Sequence, residues 1–293
     1  MIQRKIARLT TSPLQPGFLG PGHRAAAVVD GNHFAQTDPF LLLMDDQLNL
    51  PGGPPVGGPH PHAGFETVTL VLQGNDNDWE TGSLELMTAG KGIIHTEEIT
   101  AQTQLRILQL WLVLPPEKRW AEPLWQQILL EDVPVKKTAD GEIRVYSGAS
   151  HGLVSPLQNH TPFSLVDLHL TKEAAVVQDV PASYSGFVYV LEGTLWAGDT
   201  KVEKGQAAWL DEPQPSGESA ITFRAGELGA RLVFYAGEPQ QVPVVSHGPF
   251  VGDSREDIQR LYQEYRQGKM PHLNELPPSR KVQHRKRAAV PTS

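Results

Sequence analysis

The sequence has 293 residues, a formal net charge of −8 and no cysteine. A chain of this length can bury a large core without disulfides, and the absence of cysteine excludes thiol nucleophiles, thiolate metal ligands and disulfide frameworks. The negative charge argues against direct binding of nucleic acids, because phosphate contacts need clustered lysine and arginine. The sequence contains no apolar stretch of membrane-spanning length and no signal-peptide-like segment, so we expect a cytoplasmic protein without membrane contact.

Short apolar runs separated by turn residues dominate the sequence. Glycine and proline contribute 27 and 25 residues and are spread between these runs, which is typical of an all-β fold. Runs rich in β-branched and aromatic residues predict strands. In chain order they are 25–29, 40–44, 66–72, 108–114, 163–170, 186–193 and 230–237.

One segment near the C-terminus has helical periodicity instead. Ser254 is suited to cap a helix, Asp257 follows three residues later, and Gly268 marks the end. The sequence therefore predicts a surface helix whose apolar stripe packs on the core. The residues of this stripe are Ile258, Leu261, Tyr262 and Tyr265.

A weak internal repeat predicts two similar β-domains. When Gly74 is aligned with Gly193, TLVLQG falls on VYVLEG, and residues 82–87 resemble residues 205–210. The predicted units are an N-terminal domain over 1–130, a C-terminal domain over 131–270, and a basic, disordered tail over 271–293.

Two histidines one residue apart, His60 and His62, form the first candidate metal-ligand pair. In an extended segment both side chains project from the same face, and Pro61 between them favours extended geometry. Alone, this spacing also fits exposed or hydrogen-bonded histidines. A metal site requires further ligands nearby.

His95 and Glu97 repeat the same spacing on a later segment. Neighbouring antiparallel strands lie about 5 Å apart, so two such pairs can surround one ion. The sequence therefore predicts a single metal site built from both pairs.

Two other carboxylates compete with Glu97. Glu66 would share the face of His62 in an unbroken strand, although Gly64 can form a bulge that breaks this register. Glu98 would face away from Glu97. Spacing favours Glu97 over Glu66 without deciding between them.

The predicted second domain offers no counterpart to these ligands. In the aligned repeat, His60 and His62 fall on Asp179 and Pro181. The other histidines there lack paired spacing, and we expect them to be surface or core residues; they are His151, His160, His169 and His247.

Four segments match motifs of a known family: PHPHAGFETVT (59–69), MTAGKGIIHTE (87–97), LQLWLVLPPEKRWAEP (108–123) and GEPQQVPVVSHGPFVGDSREDI (237–258). Through these motifs the chain resembles the pirin family of the cupin superfamily, over most of residues 1–270. The resemblance implies two tandem jelly-roll-like β-barrels with a C-terminal helix, and one metal in the first barrel. The implied ligands are His60, His62, His95 and Glu97.

Two departures from the family pattern lie near the implied site. Pirins commonly carry arginine where this chain has Ala63, and residues 75–86 form a segment several residues shorter than in the family. We expect the shorter segment to leave the metal more open and to affect the choice of substrate.

The resemblance implies iron(II) and two alternative functions. One is a dioxygenase acting on quercetin-like flavonols, with dioxygen and a small aromatic compound as substrates and Glu97 as the base. The other is a non-enzymatic regulator that senses metal or redox state and binds a transcription-related or metabolic protein partner. Three imidazoles and one carboxylate also suit zinc, nickel, manganese or copper. By analogy with the family, we expect a monomer.

Overall fold

The structure, a computed structural model, describes residues 1–74 and 79–285. In chain order its strands are β1 (Ile2–Gln3), β2 (Ile6–Thr11), β3 (Gln15–Pro16), β4 (His23–Val29), β5 (Phe40–Leu50), β6 (His60–His62), β7 (Phe65–Gln73), β8 (Leu84–Thr88), β9 (Ile93–His95), β10 (Thr103–Val113), β11 (Leu124–Ile128), β12 (Val135–Thr138), β13 (Gly141–Ser147), β14 (Ala149–Ser150), β15 (Leu153–Val154), β16 (Phe163–Leu170), β17 (Ala175–Pro181), β18 (Ser185–Ala197), β19 (Thr200–Glu203), β20 (Gln206–Leu210), β21 (Glu218–Gly237), β22 (Val245–His247), β23 (Phe250–Gly252) and β24 (Lys281–His284).

Helical structure is sparse, which confirms the all-β prediction. The α-helices are α1 (Phe34–Thr37) and α2 (Arg255–Arg266), and 3-10 turns lie at Pro116–Lys118, Leu130–Asp132, Leu273–Glu275 and Pro278–Arg280. Every predicted strand run overlaps an observed strand; these are β4, β5, β7, β10, β16, β18 and β21. No helix within the described residues is long and apolar enough to cross a membrane.

Two large sheets form two cupin domains. The first has the order β24-β11-β8-β7-β10-β5-β4-β3, and the second β12-β13-β16-β21-β18-β20-β2 with β1, β17 and β19 paired beside this path. The predicted repeat is visible in the pairing, because β7 lies between β8 and β10 as β18 lies between β20 and β21. These jelly-roll sheets confirm the predicted bicupin architecture, although the hydrogen-bonded path of each sheet stays open at its edge strands.

The largest hydrophobic cluster is shared by the two domains. It contains Leu108, Leu110 and Leu112 from β10 together with aromatic residues of the second sheet. At its centre the ring of Phe40 meets the ring of Phe187 edge-on, with centroids 5.2 Å apart. Burial of apolar surface between the sheets therefore stabilises both domains at once.

Strands near the two chain ends differ from the predicted domain ranges. Strand β2 pairs with β20 of the second sheet, although it was predicted within the first domain. Buried Arg4 holds this end in place through Asp211 and the carbonyl of Tyr184. The predicted boundary near residue 130 stays a prediction.

The predicted disordered tail is wrong for residues 271–285. This segment contains two 3-10 turns and strand β24, which pairs in parallel with β11 through Trp125–Ile128. Its edge-strand hydrogen bonds order a sequence whose basic composition suggested a solvated tail. Residues 286–293 lie outside the described residues.

The predicted late helix is confirmed as α2, and it packs against the first domain. Ser254 and Asp257 form a capping box. Ile258 and Leu261 lie in a small cluster with Phe250 and Ala63. The C-terminal segment, which we define as residues 245–276, thus returns to the back of the segment that carries His60 and His62.

Candidate metal centre and its cavity

A small two-stranded sheet brings the two predicted histidine segments together. Strands β6 and β9 are antiparallel, and His60 lies opposite His95. Gly64 follows β6 with a φ of +86°, and this turn separates β6 from β7. The break in register anticipated at Gly64 is therefore present, and His62 and Glu66 belong to strands of different sheets.

Three imidazoles converge in this sheet. Nε2 of His60 lies 2.8 Å from Nε2 of His95. One ligand nitrogen each from His60, His62 and His95 can be chosen so that all lie within 4.8 Å of one another. This spacing suits coordination of a single ion.

The hydrogen bonding of His60 supports this interpretation. Its Nδ1 lies 2.9 Å from the carbonyl oxygen of Gly58, an acceptor, so Nδ1 carries the proton. Its Nε2 then carries no proton, and the lone pair of this nitrogen is directed at His95. An outer hydrogen bond that fixes the tautomer in this way is common among metal-binding histidines.

Burial keeps the other two histidines neutral. Desolvation, together with neighbouring His95 and His60, holds the pKa of His62 well below its usual value of 6.5. Desolvation, with smaller contributions from His60 and His272, lowers the pKa of His95 to about 3. Neutral imidazoles are the form that binds metals, so the donor set fits a divalent transition metal.

Glu97 lies beside the histidines, just after β9. Its Oε2 is 3.9 Å from Nε2 of His60, and its Oε1 accepts a hydrogen bond of 3.4 Å from Gln109. Burial raises the pKa of Glu97 to about 7, with further contributions from Glu85 and Asp46. About a quarter of its side chain is accessible, and it lines the cavity described below.

Glu66 and Glu98 lie away from the three histidines. Glu66 is fully buried and accepts hydrogen bonds from Thr88, Asn159 and the backbone of His160. Glu98 is exposed. Of the three carboxylates weighed from the sequence, Glu97 alone lines the cavity.

The histidines open into a cavity of about 510 Å³. His60, His62 and Glu97 lie on its wall. The remaining surface is largely apolar and aromatic, as in sites that enclose small organic molecules. Among the residues that contribute to it are Leu42, Met44, Leu48, Trp79, Ile107 and Trp111.

Three polar cavity residues were not identified from the sequence: His23, Asp46 and Gln109. They lie on β4, β5 and β10, and each has its side chain on the inner face of the first sheet. Strand alternation marks Gln109 as sharing a face with Trp111, but nothing local in the sequence relates these strands to His60.

Ala63 faces away from the cavity. It is fully buried, forms a parallel bridge with Phe250, and packs among residues of the C-terminal segment. Its contacts thus relate it to the support of β6, while residues 75–78 of the shortened segment lie outside the described residues.

The second domain has no comparable cluster within the part of the chain that the structure describes. The cluster of His60, His62 and His95 is the one group of three or more metal-ligand residues found there. Asp179, aligned with His60 in the repeat, instead accepts hydrogen bonds from Ser150 and the backbone of His151.

Fold and cluster together define a bicupin protein with one candidate transition-metal site. The profile described as Pirin matches residues 23–112, and that described as Pirin C-terminal cupin domain matches residues 165–271. The chain is 32% identical to rat (Rattus norvegicus) Pirin over 265 residues, covering 85% of this chain and 88% of that protein. The chain therefore belongs to the pirin family.

Solved structures show the same similarity. The crystal structure of GK1651 from Geobacillus kaustophilus is 34% identical, with a TM-score of 0.75 and coverage of 83% of this chain and 99% of that chain. A quercetin 2,3-dioxygenase from Acinetobacter baumannii is 27% identical, with a TM-score of 0.79 and coverage of 91% and 98%. Both similarities extend over the two domains.

Proposed function

We propose that this protein is a metal-dependent dioxygenase acting on quercetin-like flavonols, with His60, His62, His95 and Glu97 as ligands of an iron(II) ion. The observation that carries the proposal is the convergence of three imidazoles at the wall of a cavity of about 510 Å³ with apolar and aromatic surfaces. A ligand set that leaves coordination positions open is typical of catalytic rather than structural sites. We further propose a monomeric, cytoplasmic protein.

The chain's own residues have separate tasks in this reaction. Bound iron would supply Lewis acidity and redox chemistry for the reaction with dioxygen. Glu97 accepts the proton of the flavonol hydroxyl, because its carboxylate lies at the junction of histidine cluster and cavity. Gln109 orients that carboxylate through its hydrogen bond to Oε1.

The apolar walls hold the aromatic rings and exclude water. Trp111 is central to this surface, because it stacks on Phe65 at 4.3 Å and meets His62 edge-on at 5.2 Å. A rigid aromatic wall beside the histidines limits the orientations of a flat substrate.

The similarity to the Acinetobacter baumannii quercetin 2,3-dioxygenase supports this substrate class. The alternative is a regulator that uses the same ligands to sense metal or redox state and to bind a protein partner without turnover. The largely apolar cavity favours the enzyme, because sensing a metal does not require a site for an organic molecule.

The proposal is tested by loading the protein with iron(II), adding quercetin in air, and following flavonol absorbance and oxygen uptake. In the native protein we expect the flavonol absorbance to fall while oxygen is taken up. Removing a ligand with His95→Ala should abolish both signals and the bound iron, whereas His33→Ala, which alters an exposed histidine, should leave them unchanged.

Absence of turnover with iron, nickel, manganese, copper and zinc would contradict the dioxygenase assignment. If the metal were nevertheless retained and lost in His95→Ala, the regulatory alternative would be favoured. If no preparation held close to one metal ion per chain, the site itself would be disproved.

A further inference from the structure

One acidic residue interrupts an otherwise apolar cavity wall. Alternate residues of β5 face the cavity, namely Leu42, Met44, Asp46 and Leu48. Asp46 is only 8% exposed. A carboxylate on an apolar wall is costly unless it is paired, so its partners are informative.

His23, on the neighbouring strand β4, holds Asp46 in a fixed orientation. Nε2 of His23 lies 2.7 Å from Oδ1 of Asp46, and the backbone N–H of Leu19 donates to Nδ1 of His23 at 3.2 Å. Since Nδ1 accepts a hydrogen bond, the proton of the neutral ring is on Nε2, which donates to the carboxylate. The pair thus fixes one oxygen of Asp46.

The second oxygen, Oδ2, has no hydrogen-bond donor among the described residues, and Asp46 lines the cavity. The Asp46 side chain retains 11% exposure. Burial also raises the pKa of this carboxyl above its usual 3.8, so the carboxylate is a stronger hydrogen-bond acceptor than an ordinary surface one. Oδ2 of Asp46 is therefore an oriented hydrogen-bond acceptor in the cavity wall, and no described residue donates to it.

The acceptor lies apart from the histidine cluster. Asp46 pairs with Ile107 across the sheet, and Gln109, two residues further along the same face, contacts Glu97. Diagonal neighbours of this kind are about 7–8 Å apart. A ligand that reaches both Asp46 and the histidine cluster must therefore carry two separate polar groups.

We propose that Oδ2 of Asp46, held in place by His23, accepts a hydrogen bond from a second hydroxyl group of the aromatic substrate, remote from the group that reaches the metal. Asp46 thereby selects polyhydroxylated aromatic compounds over those with a single hydroxyl. This inference rests on the proposed function and assigns a specificity determinant to the same cavity.

The test compares two flavonols in iron-loaded protein under nitrogen. Quercetin and 3-hydroxyflavone share the hydroxyl–carbonyl group, but 3-hydroxyflavone lacks the other hydroxyls. Affinity is measured by quenching of tryptophan fluorescence. We expect Asp46→Asn to weaken quercetin binding roughly ten-fold or more and to change 3-hydroxyflavone binding less than about two-fold.

Further variants separate recognition from structure. Met44→Leu alters the same wall but leaves the His23–Asp46 pair intact. It should not change the ratio of the affinities for quercetin and 3-hydroxyflavone. His23→Gln should weaken quercetin binding, and the His23→Gln/Asp46→Asn double variant should lose no more than Asp46→Asn, because His23 acts through Asp46. If circular dichroism shows that Asp46→Asn does not fold, Asp46→Leu replaces it in the binding comparison. We expect the same loss of preference for quercetin.

Equal weakening of both flavonols by Asp46→Asn, or no effect on either, would overturn the inference and leave the proposed function intact. Selective weakening without oxygen uptake in air would support the inference and contradict the dioxygenase. Failure of the native protein to bind either flavonol would overturn both.

Discussion

Glu66 is an acid completely buried between the two domains. The hydroxyl of Thr88 donates to its Oε1 at 2.8 Å, as does the backbone N–H of His160 at 3.2 Å, and Asn159 donates to its Oε2 at 3.3 Å. Desolvation outweighs these hydrogen bonds and raises the pKa of Glu66 from 4.5 to about 7. The folded protein therefore binds this proton more tightly than the unfolded chain does.

This shift predicts a loss of stability as the pH rises from acidic to neutral values. The free energy of unfolding should fall as the pH rises from about 4.5 to about 7, because the folded state must then lose a proton already absent from the unfolded state. Glu66→Gln removes this titration, and its stability should fall less over the same range, by on the order of 3 kcal/mol. Urea unfolding of metal-free protein at pH 5 and pH 8 measures the difference.

The control for this prediction is Glu98→Gln, which alters an exposed acid. Its stability should follow that of the native protein at both pH values. Parallel profiles for Glu66→Gln and the native protein would contradict the prediction.

At the scale of single residues, the sequence identified those site residues that share a short, regular spacing. The spacing of His60 with His62 identified two of the three histidines that converge, and the same spacing led to His95. It did not reveal His23 and Asp46, because their pairing depends on the register of β4 on β5. An aspartate within FLLLMDDQLNL gives no local sign of whether its neighbours will be apolar walls or solvent.

Among the elements, β6 and β9 depend on support from outside their own sheet. The C-terminal segment supplies it, since the backbone N–H of Val251 donates to the carbonyl of Ala63 at 2.9 Å. The buried side chain of Arg119 donates hydrogen bonds to the carbonyl of Gly64 at 3.3 Å and to the carboxylate of Asp253 at 3.1 Å. The histidine strands are thus fixed between the first sheet and the C-terminal segment.

Gly64→Ala tests this support. Gly64 has a φ of +86°, and an added Cβ would lie 2.0 Å from the carbonyl oxygen of Val251. We expect a loss of about 2 kcal/mol or more in stability, because both the backbone and the contact are strained. Metal affinity should fall as well, measured by competition with a chelator.

Gly58→Ala is the matched control in the same segment. Its added Cβ would meet no atom within 4 Å, and its φ is not in the left-handed region. It should therefore retain metal affinity and stability. Equal losses in both variants would indicate that the segment tolerates no substitution, whatever its packing.

The elements themselves were largely predictable, while their support was not. Apolar runs with turn residues located the strands, and the residue type of Gly64 indicated the break in register between β6 and β7. The contact of the C-terminal segment with Ala63 joins residues far apart in the chain, and no periodicity reports such a contact.

In the whole molecule, the shared hydrophobic cluster couples the two domains. Residues of both sheets contribute to it, so neither sheet keeps its buried face when the other unfolds. We therefore expect a single cooperative unfolding transition rather than one for each domain.

Leu232→Ala probes this coupling from the second domain. Leu232 is fully buried in the core of that domain, away from the histidines. The substitution should lower stability by about 2–5 kcal/mol. Circular dichroism and release of bound metal should shift together to lower temperature; metal release at an unchanged temperature would contradict the coupling.

The pairing of β2 with β20 also has a consequence for synthesis of the protein. Ile6 lies opposite Leu210, so the strand is made long before its partner leaves the ribosome. Until then β2 lacks its native partner strand, and its backbone hydrogen-bonding groups remain available to other chains. We therefore expect premature pairing of β2 with another nascent chain to be a route to misassembly during synthesis.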